Sequence, residues 1–180
     1  MFLSPHPDTG GILVEKAREP GGLRVLPPAE VVKKLNTRFY LRDDANPYFT
    51  MTYATIEPAS GKLRIVRAGH PFPLLQKADG GVTQVRIEGY AVGLFPSADI
   101  TPEEMKLDSG DRLFLYSDGL MDCANPSGVS FGARRLEDAL KAGRDKPLSE
   151  LVKSLREAIV KWRGSELFSD DVSLLALEKE

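Results

Sequence analysis

A short apolar run near the middle of the chain constrains the fold more than any other feature of this sequence. Residues 113–116, Leu-Phe-Leu-Tyr, carry no charge and stop abruptly at Ser117-Asp118-Gly119. A compact run of this kind is typical of a strand that is buried on both faces. The sequence therefore predicts a core strand that ends at an acidic residue.

Segments of alternating apolar and polar residues predict further strands. Turn residues at 58–61 and at Asp79-Gly80-Gly81 join them into two hairpins. The strands predicted before the core strand are residues 49–54, 62–68, 72–76, 82–87 and 105–107. Residues 172–177 are again nearly all apolar and predict the last strand.

Apolar residues at helical spacing predict three helices. The first begins at Pro27-Pro28, because proline suits the first helical turn, and runs to about residue 39. The other two are residues 132–141 and 149–162, and Ser149 is the predicted N-cap of the last. Hairpin-connected strands followed by segregated helices favour a layered α+β domain over a parallel βαβ fold.

The first 26 residues contain many residues that interrupt regular structure. Pro5, Pro7, Gly10-Gly11 and Gly21-Gly22 are spread along this stretch. The predicted organisation is an irregular connector over residues 1–26 and a folded domain over residues 27–180.

Composition restricts the class of protein. The chain of 180 residues has a formal net charge of −2 and no apolar run long enough to span a bilayer. This charge balance gives no basic surface for nucleic acid or anionic lipid. The chain does not open on a secretory pattern, and its single cysteine, Cys123, is interpreted as a small filler residue. A cytoplasmic protein without nucleic-acid or membrane partners is expected.

Acidic residues at the ends of the two apolar strands are the candidates for chemistry. Asp118 follows the first of these strands, and Asp170 and Asp171 precede the second. A carboxylate at the rim of a buried sheet should be partly desolvated and firmly held, which suits Mg²⁺ or Mn²⁺. Gly119 would allow a sharp backbone turn beside an ion. Asp-Gly is also a common turn and Asp-Asp a common loop, so either motif alone is more often structural.

Other residues are weaker candidates. His70, between Gly69 and Pro71, is interpreted as a turn histidine that bonds to backbone rather than as a metal ligand. Asp122 lies four residues after Asp118 and is interpreted as a surface acid. Haloacid-dehalogenase phosphatases need a second acid two positions after the nucleophilic aspartate. Leu120 stands there, so that chemistry is excluded.

Four segments of the sequence form a specific set of motifs. They are Arg-Ala-Gly-His-Pro-Phe-Pro-Leu-Leu at 67–75, Gly-Asp-Arg-Leu-Phe-Leu-Tyr-Ser-Asp-Gly-Leu at 110–120, Asn-Pro-Ser-Gly at 125–128 leading to Phe-Gly at 131–132, and Asp-Asp-Val-Ser-Leu-Leu at 170–175. Each is modest alone, but their order and spacing are specific. Together they resemble the sporulation-E/RsbU branch of the PPM, or protein phosphatase 2C-like, serine phosphatases, and the resemblance extends from about residue 3 to residue 178.

This resemblance implies two packed antiparallel sheets flanked by helices, and a dinuclear Mn²⁺ or Mg²⁺ site held by aspartates. Asp118 and Asp170 match the family's catalytic, metal-binding aspartates. Asp171 stands beside them, where the wider family often has asparagine, and His70 could support the site. The implied reaction is hydrolysis of phosphoserine or phosphothreonine on a protein, without a covalent enzyme intermediate. The implied substrate is an anti-sigma-factor antagonist.

One part of the family pattern is absent. Family members carry an earlier Asp-Val-Ser-Gly-His-Gly motif and a further aspartate before it, and this sequence contains neither. An N-terminally truncated phosphatase domain is therefore expected, with residues 1–26 including the remnant of a helix. Such a fragment should bind metal weakly at one site and be nearly inactive alone. The alternative is a degenerate, non-catalytic module that only binds partners.

Two expectations about partners follow. Residues 4–13 resemble a subgroup in which a receiver domain precedes the phosphatase, so a response regulator with an upstream receiver or other sensory domain is expected. A missing front segment should leave a sheet edge or an apolar face uncovered, so self-association is expected.

Overall fold

The computed structural model of the protein describes residues 11–16, 23–40, 48–97 and 100–180. The chain divides into two compact units. Described residues up to 57, with 62–69 and 87–105, form unit 1, and residues 58–61, 70–86 and 106–180 form unit 2. In chain order the elements are β1 (Val14–Lys16), β2 (Leu23–Val25), α1 (Pro28–Tyr40), β3 (Met51–Ile56), β4 (Lys62–Ala68), β5 (Leu74–Gln76), β6 (Val82–Gln84), β7 (Glu103–Lys106), β8 (Arg112–Tyr116), α2 (Asp118–Asp122), α3 (Gly132–Ala142), α4 (Leu148–Arg163) and β9 (Leu174–Glu178).

In unit 1, helix α1 packs on the predicted hairpin of β3 and β4. The two strands are antiparallel, with Met51 opposite Ala68, in the sheet order β3-β4-β7. Val32 of α1 is buried with Val66 of β4, as helical spacing requires. Asn36 is buried with its amide satisfied, because its Nδ2 donates to the carbonyl of Phe95 at 3.0 Å.

In unit 2, a four-stranded antiparallel sheet of order β6-β5-β8-β9 packs against α3 and α4. The predicted core strand is β8, and all of its residues except Leu115 are buried. Phe114 is fully buried in one cluster with Leu136 of α3 and Leu155 of α4. The layered α+β class predicted from the sequence is thus confirmed.

A buried polar network fixes the start of β8. The Asp111 carboxylate is almost fully buried and accepts hydrogen bonds from Lys77 Nζ and from the amides of Ala78 and Asp108. The guanidinium of Arg112 donates to the carbonyls of Arg144 and Lys146, at 2.9 and 2.8 Å. These bonds tie the loop between α3 and α4 to the sheet.

The connection between α2 and α3 is held by two side chains. The Asn125 Oδ1 accepts hydrogen bonds from the amides of Ser127 and Val129. Trp162 of α4 donates from its indole nitrogen to the carbonyl of Val129 at 3.1 Å. Arg135 lies over the Trp162 ring, 4.0 Å from its centroid, and completes this contact. The segment at residues 125–128, one of the four that carry the family resemblance, therefore has a structural role.

Two sequence predictions are wrong. The described part of residues 1–26 is not irregular throughout, because β1 and β2 pair with Val14 opposite Val25. Strands of three residues are too short for their alternation to be recognised. Ser149 is not the N-cap of α4, since the helix begins at Leu148 after Pro147, and no side chain caps it. The predicted start of the domain at residue 27 stays a prediction, and residues 1–10 lie outside the described residues.

The last strand is less buried than its apolar sequence indicated. Strand β9 pairs only with β8 among the described strands, and Leu175 is 63% exposed. An exposed edge with an apolar side chain can pair with another chain. Self-association stays a prediction that this edge supports.

No helix in the described ranges is long and apolar enough to cross a membrane.

Replacing Asp111 by asparagine should make the stability of the protein less dependent on pH. Burial alone would raise the pKa of Asp111, but hydrogen bonds from Lys77 and from the amides of Asp108 and Ala78 outweigh it and hold the pKa below its ordinary value of 3.8. The carboxylate therefore stabilises the fold above about pH 4. This contribution is lost as the pH falls through the lower, folded-state pKa.

We expect Asp111→Asn to lower the free energy of unfolding at pH 7 by about 1–3 kcal/mol. The difference from wild type should shrink at pH 3, below the ordinary pKa of 3.8, because the carboxyl of the unfolded chain is then largely protonated. Urea denaturation at both pH values measures it. A difference of equal size at pH 7 and pH 3 would contradict this account.

Candidate functional site

The two predicted acidic motifs meet at one end of the unit 2 sheet. Strands β8 and β9 are adjacent and antiparallel, with Tyr116 opposite Leu174. The chain that leaves β8 at Asp118 therefore lies beside the chain that enters β9 from Asp170 and Asp171. Residues about fifty positions apart in the sequence are brought together by this pairing.

Ser117 holds the two motifs in register beyond the last strand pair. Its hydroxyl donates to the carbonyl of Asp171 at 2.9 Å and accepts from the amide of Ser173 at 2.9 Å. Its own amide donates to the carbonyl of Ser173 at 3.1 Å. This residue was not predicted from the sequence. The available signal was a hydroxyl residue directly before the Asp-Gly motif.

Gly119 is required for a reason that differs from the prediction. It is not among the glycines with positive φ, so the turn does not need the conformational freedom of glycine. A Cβ atom at this position would instead lie 2.6 Å from the carbonyl oxygen of Asp171 and 3.5 Å from the Cβ of Asp170. Its missing side chain lets the two acidic segments approach each other closely.

The three carboxylates are exposed, which corrects the expectation that they are partly desolvated. Among the described strands, β9 has β8 as its one neighbour, so the rim where these acids lie is open to solvent. Asp118 Oδ1 accepts from the amide of Gly119 at 3.0 Å, and Asp170 Oδ1 accepts from the amide of Asp171 at 2.7 Å. A carboxylate has two oxygens with about four acceptor sites, so both can accept further partners.

These acids provide the right atoms for a hard cation but too few of them for a complete centre. Carboxylate oxygens are the preferred ligands of Mg²⁺ and Mn²⁺. In the part of the chain that the structure describes, no group of three or more histidine, cysteine, aspartate or glutamate residues could hold a metal ion. The arrangement fits part of a metal site, and a dinuclear site would need further ligands.

His70 lies at the same end of the sheet as Asp118. Strand β5 pairs with β8, with Leu74 opposite Phe114, and the Tyr116 hydroxyl donates to the carbonyl of Phe72 at 2.8 Å. Burial, with a smaller effect of Glu137, raises the pKa of Tyr116 to about 12, so this donor stays protonated. His70 is half-buried just before this anchored segment, and its supporting role stays a prediction.

Two weaker candidates occupy the places expected of structural residues. Asp122 is exposed at the last position of α2, as a surface acid should be. Cys123 is 3% exposed within the apolar core, as a small filler residue should be.

An open groove of about 610 Å³ borders Asp170 and Asp171 and was not predicted from the sequence. Its other polar side chains are Arg156 and Ser169. Its apolar side chains are Leu120, Val152, Ile159, Phe168, Val172 and Leu174. The wall from α4 consists of Val152, Arg156 and Ile159. Their spacing i, i+4, i+7 puts them on one face of the helix, and this spacing was the one signal in the sequence for that wall.

Solved structures define the class of fold. The SiaA-PP2C domain of Pseudomonas aeruginosa is similar with a TM-score of 0.75 at 19% identity, over 86% of this chain and 61% of that one. The phosphatase domain of SpoIIE from Bacillus subtilis, in its Mn-presoaked form, is similar with a TM-score of 0.61 at 18% identity, over 89% of this chain and 67% of that one. The protein therefore has a PP2C-like phosphatase fold.

The sequence then assigns the family. Residues 15–180 match the family described as Stage II sporulation protein E (SpoIIE), so the chain belongs to the SpoIIE family. Phosphoserine phosphatase RsbU of Bacillus subtilis (strain 168) is 25% identical over 154 residues, which are 85% of this chain and 45% of that protein. The chain spans less than half the length of three curated relatives that it matches. The resemblance to SpoIIE/RsbU phosphatases stated from the four segments is thus confirmed.

Replacing Gly119 by alanine should destabilise unit 2. The added Cβ would meet a backbone oxygen, which cannot move away as a side chain can, and overpacking of this kind costs about 1–3 kcal/mol. Urea denaturation measures the loss. Gly81→Ala is the control, because its added Cβ would meet a side-chain oxygen of Asp79, at 3.2 Å, rather than backbone. Equal stability of Gly119→Ala and wild type would show that this close approach does not constrain the fold.

Proposed function

We propose that this chain forms part of a metal-dependent serine/threonine protein phosphatase and contributes Asp118 and Asp170 to its metal site. The observation that carries this proposal is the convergence of the two acids at one sheet end, held by Ser117 and permitted by Gly119. The PP2C-like fold and the SpoIIE family support it. The Mn-presoaked SpoIIE domain supports the choice of cation.

The chain's own residues have separate parts in this proposal. Asp118 and Asp170 would hold Mn²⁺ or Mg²⁺, with Asp171 beside them as a further oxygen donor. When bound, such ions stabilise the charge that develops on the phosphoryl oxygens during hydrolysis. Ser117 fixes the spacing between the two acidic segments through the backbone of Asp171. No side chain of the chain has to act as a nucleophile.

The substrate and the partners are proposed from the relatives. RsbU is described as a phosphoserine phosphatase, and the described residues of this chain do not form a group of three or more acidic, histidine or cysteine side chains that could hold a metal ion. We infer that the remaining ligands come from outside these 180 residues and that the substrate is a phosphorylated anti-sigma-factor antagonist. An upstream receiver or other sensory domain would control the activity in a signalling pathway.

A second function is favoured by one observation. Within the described ranges, the acids do not form a group of three that could hold a metal ion. A degenerate phosphatase fold that binds a partner without catalysis would have this property. The two functions differ in whether Asp118 matters for turnover.

Hydrolysis of a phosphoserine protein in the presence of Mn²⁺ tests the first function directly. The protein as its gene encodes it should be active, and Asp118→Asn should lower kcat/KM on the order of 100-fold or more, because several kcal/mol of charge stabilisation are lost. Asp122→Asn is the matched control, since Asp122 is exposed on the same short helix. A folded protein without Mn²⁺-dependent activity would favour the binding module instead.

The 180-residue chain alone should bind Mn²⁺ weakly and at one site. Two or three carboxylates leave most of the coordination shell to water, so a tight dinuclear site is not expected. Isothermal titration of the chain and of its Asp170→Asn variant measures this, and the variant should lose the binding. Sustained Mn²⁺-dependent turnover by the chain alone would contradict the expectation.

A further inference from the structure

The groove beside the candidate acids has one wall from α4 and another from the segment that leads into β9. Asp170 and Asp171 belong to the second wall, so the groove and the candidate metal site are continuous. A peptide that presents a phosphorylated side chain to a metal ion held by these acids would extend about 3.3 Å per residue along its backbone. Its neighbouring side chains would therefore reach the groove.

Arg156 is the one cation among the described residues that line this groove. Its side chain is 66% exposed, and its contact with Glu166, which is 73% exposed, measures 3.9 Å. An exposed ion pair at that distance contributes little, so the guanidinium can exchange this partner for a ligand. The planar guanidinium pairs well with a carboxylate.

We propose that the groove recognises the segment next to the phosphorylated residue of a phosphoprotein, and that Arg156 determines specificity by pairing with an acidic side chain of that segment. An apolar side chain of the same segment would lie among the six apolar residues of the groove. Charge favours this arrangement because the opposite wall carries Asp170 and Asp171, which leaves Arg156 as the place where a carboxylate is attracted. This assignment rests on the phosphatase function proposed above.

Phosphoserine peptides test it on the protein as its gene encodes it, with Mn²⁺. One peptide carries leucine and glutamate beside the phosphoserine, a second has glutamine in place of the glutamate, and p-nitrophenyl phosphate reports the chemistry alone. We expect Arg156→Gln to lower kcat/KM about 5- to 10-fold for the glutamate peptide, as the loss of a charge-assisted contact predicts. The glutamine peptide and p-nitrophenyl phosphate should change less than about 2-fold.

Two further variants sharpen the test. Lys153→Gln removes a positive charge from an exposed position of the same helix outside the groove, and it should leave all three substrates unchanged. Arg156→Glu should prefer a peptide with lysine in place of glutamate, because the charges are exchanged. Equal effects of Arg156→Gln on all three substrates, or no effect on any, would overturn the specificity role.

Failure of the specificity role is distinguishable from failure of the phosphatase function. A wild-type protein that hydrolyses neither peptide nor p-nitrophenyl phosphate counts against the phosphatase function. In that case the affinity of the fluorescently labelled glutamate peptide tests the groove. Arg156→Gln should weaken this affinity about 5- to 10-fold. Unchanged binding would overturn the proposal independently of catalysis.

A second copy of the chain is the competing occupant of the groove. In that case the wild-type protein would be a dimer by light scattering, and Val152→Glu would make it monomeric without weakening peptide binding. That pair of results would overturn the assignment to a phosphoprotein. A Val152→Glu variant of unchanged mass with weakened peptide binding would support it.

Discussion

The antiparallel pairing of β8 with β9 is the constraint on which the candidate site depends. It sets Tyr116 opposite Leu174, and Ser117 prolongs the contact to Asp171 and Ser173 by hydrogen bonds. The pairing is also secured at its other end, where Arg112 forms an ion pair with Glu178 at 3.2 Å. An edge strand with one partner frays easily, and these end contacts keep the acids at a fixed spacing.

The buried network at the start of β8 extends this constraint to the groove. Arg112 donates to the carbonyls of Arg144 and Lys146, so the beginning of α4 is attached to the strand that carries Asp118 at its other end. A buried charge without such partners would be costly, and its bonds to fixed backbone carbonyls leave little freedom. The wall that carries Arg156 and the acids of the site are therefore parts of one packed unit.

Much of unit 2 could be predicted from the sequence, because its signals are local. The run at residues 113–116 predicted the core strand. The acids at two strand ends predicted a shared metal site, which stays a prediction, although the pairing of β8 with β9 does bring these two ends together. The contacts of Ser117 and the place of Arg156 in the groove were missed because they depend on residues without local periodicity, such as Asp171 and Phe168. The exposure of the carboxylates was missed because the apolar sequence of β9 does not show that this strand has β8 as its one neighbour among the described strands.

The two adjacent acids before β9 are held differently. Asp171 is held through its backbone, since its carbonyl accepts from Ser117 and lies against Gly119. These backbone contacts would be the same with asparagine in place of Asp171. Asp170 is oriented through its carboxylate, which accepts from the amide of Asp171 and still has a second oxygen to offer. In the proposed metal site, the carboxylate of Asp170 is therefore expected to contribute more than that of Asp171, whose backbone carbonyl fixes the approach of the two segments.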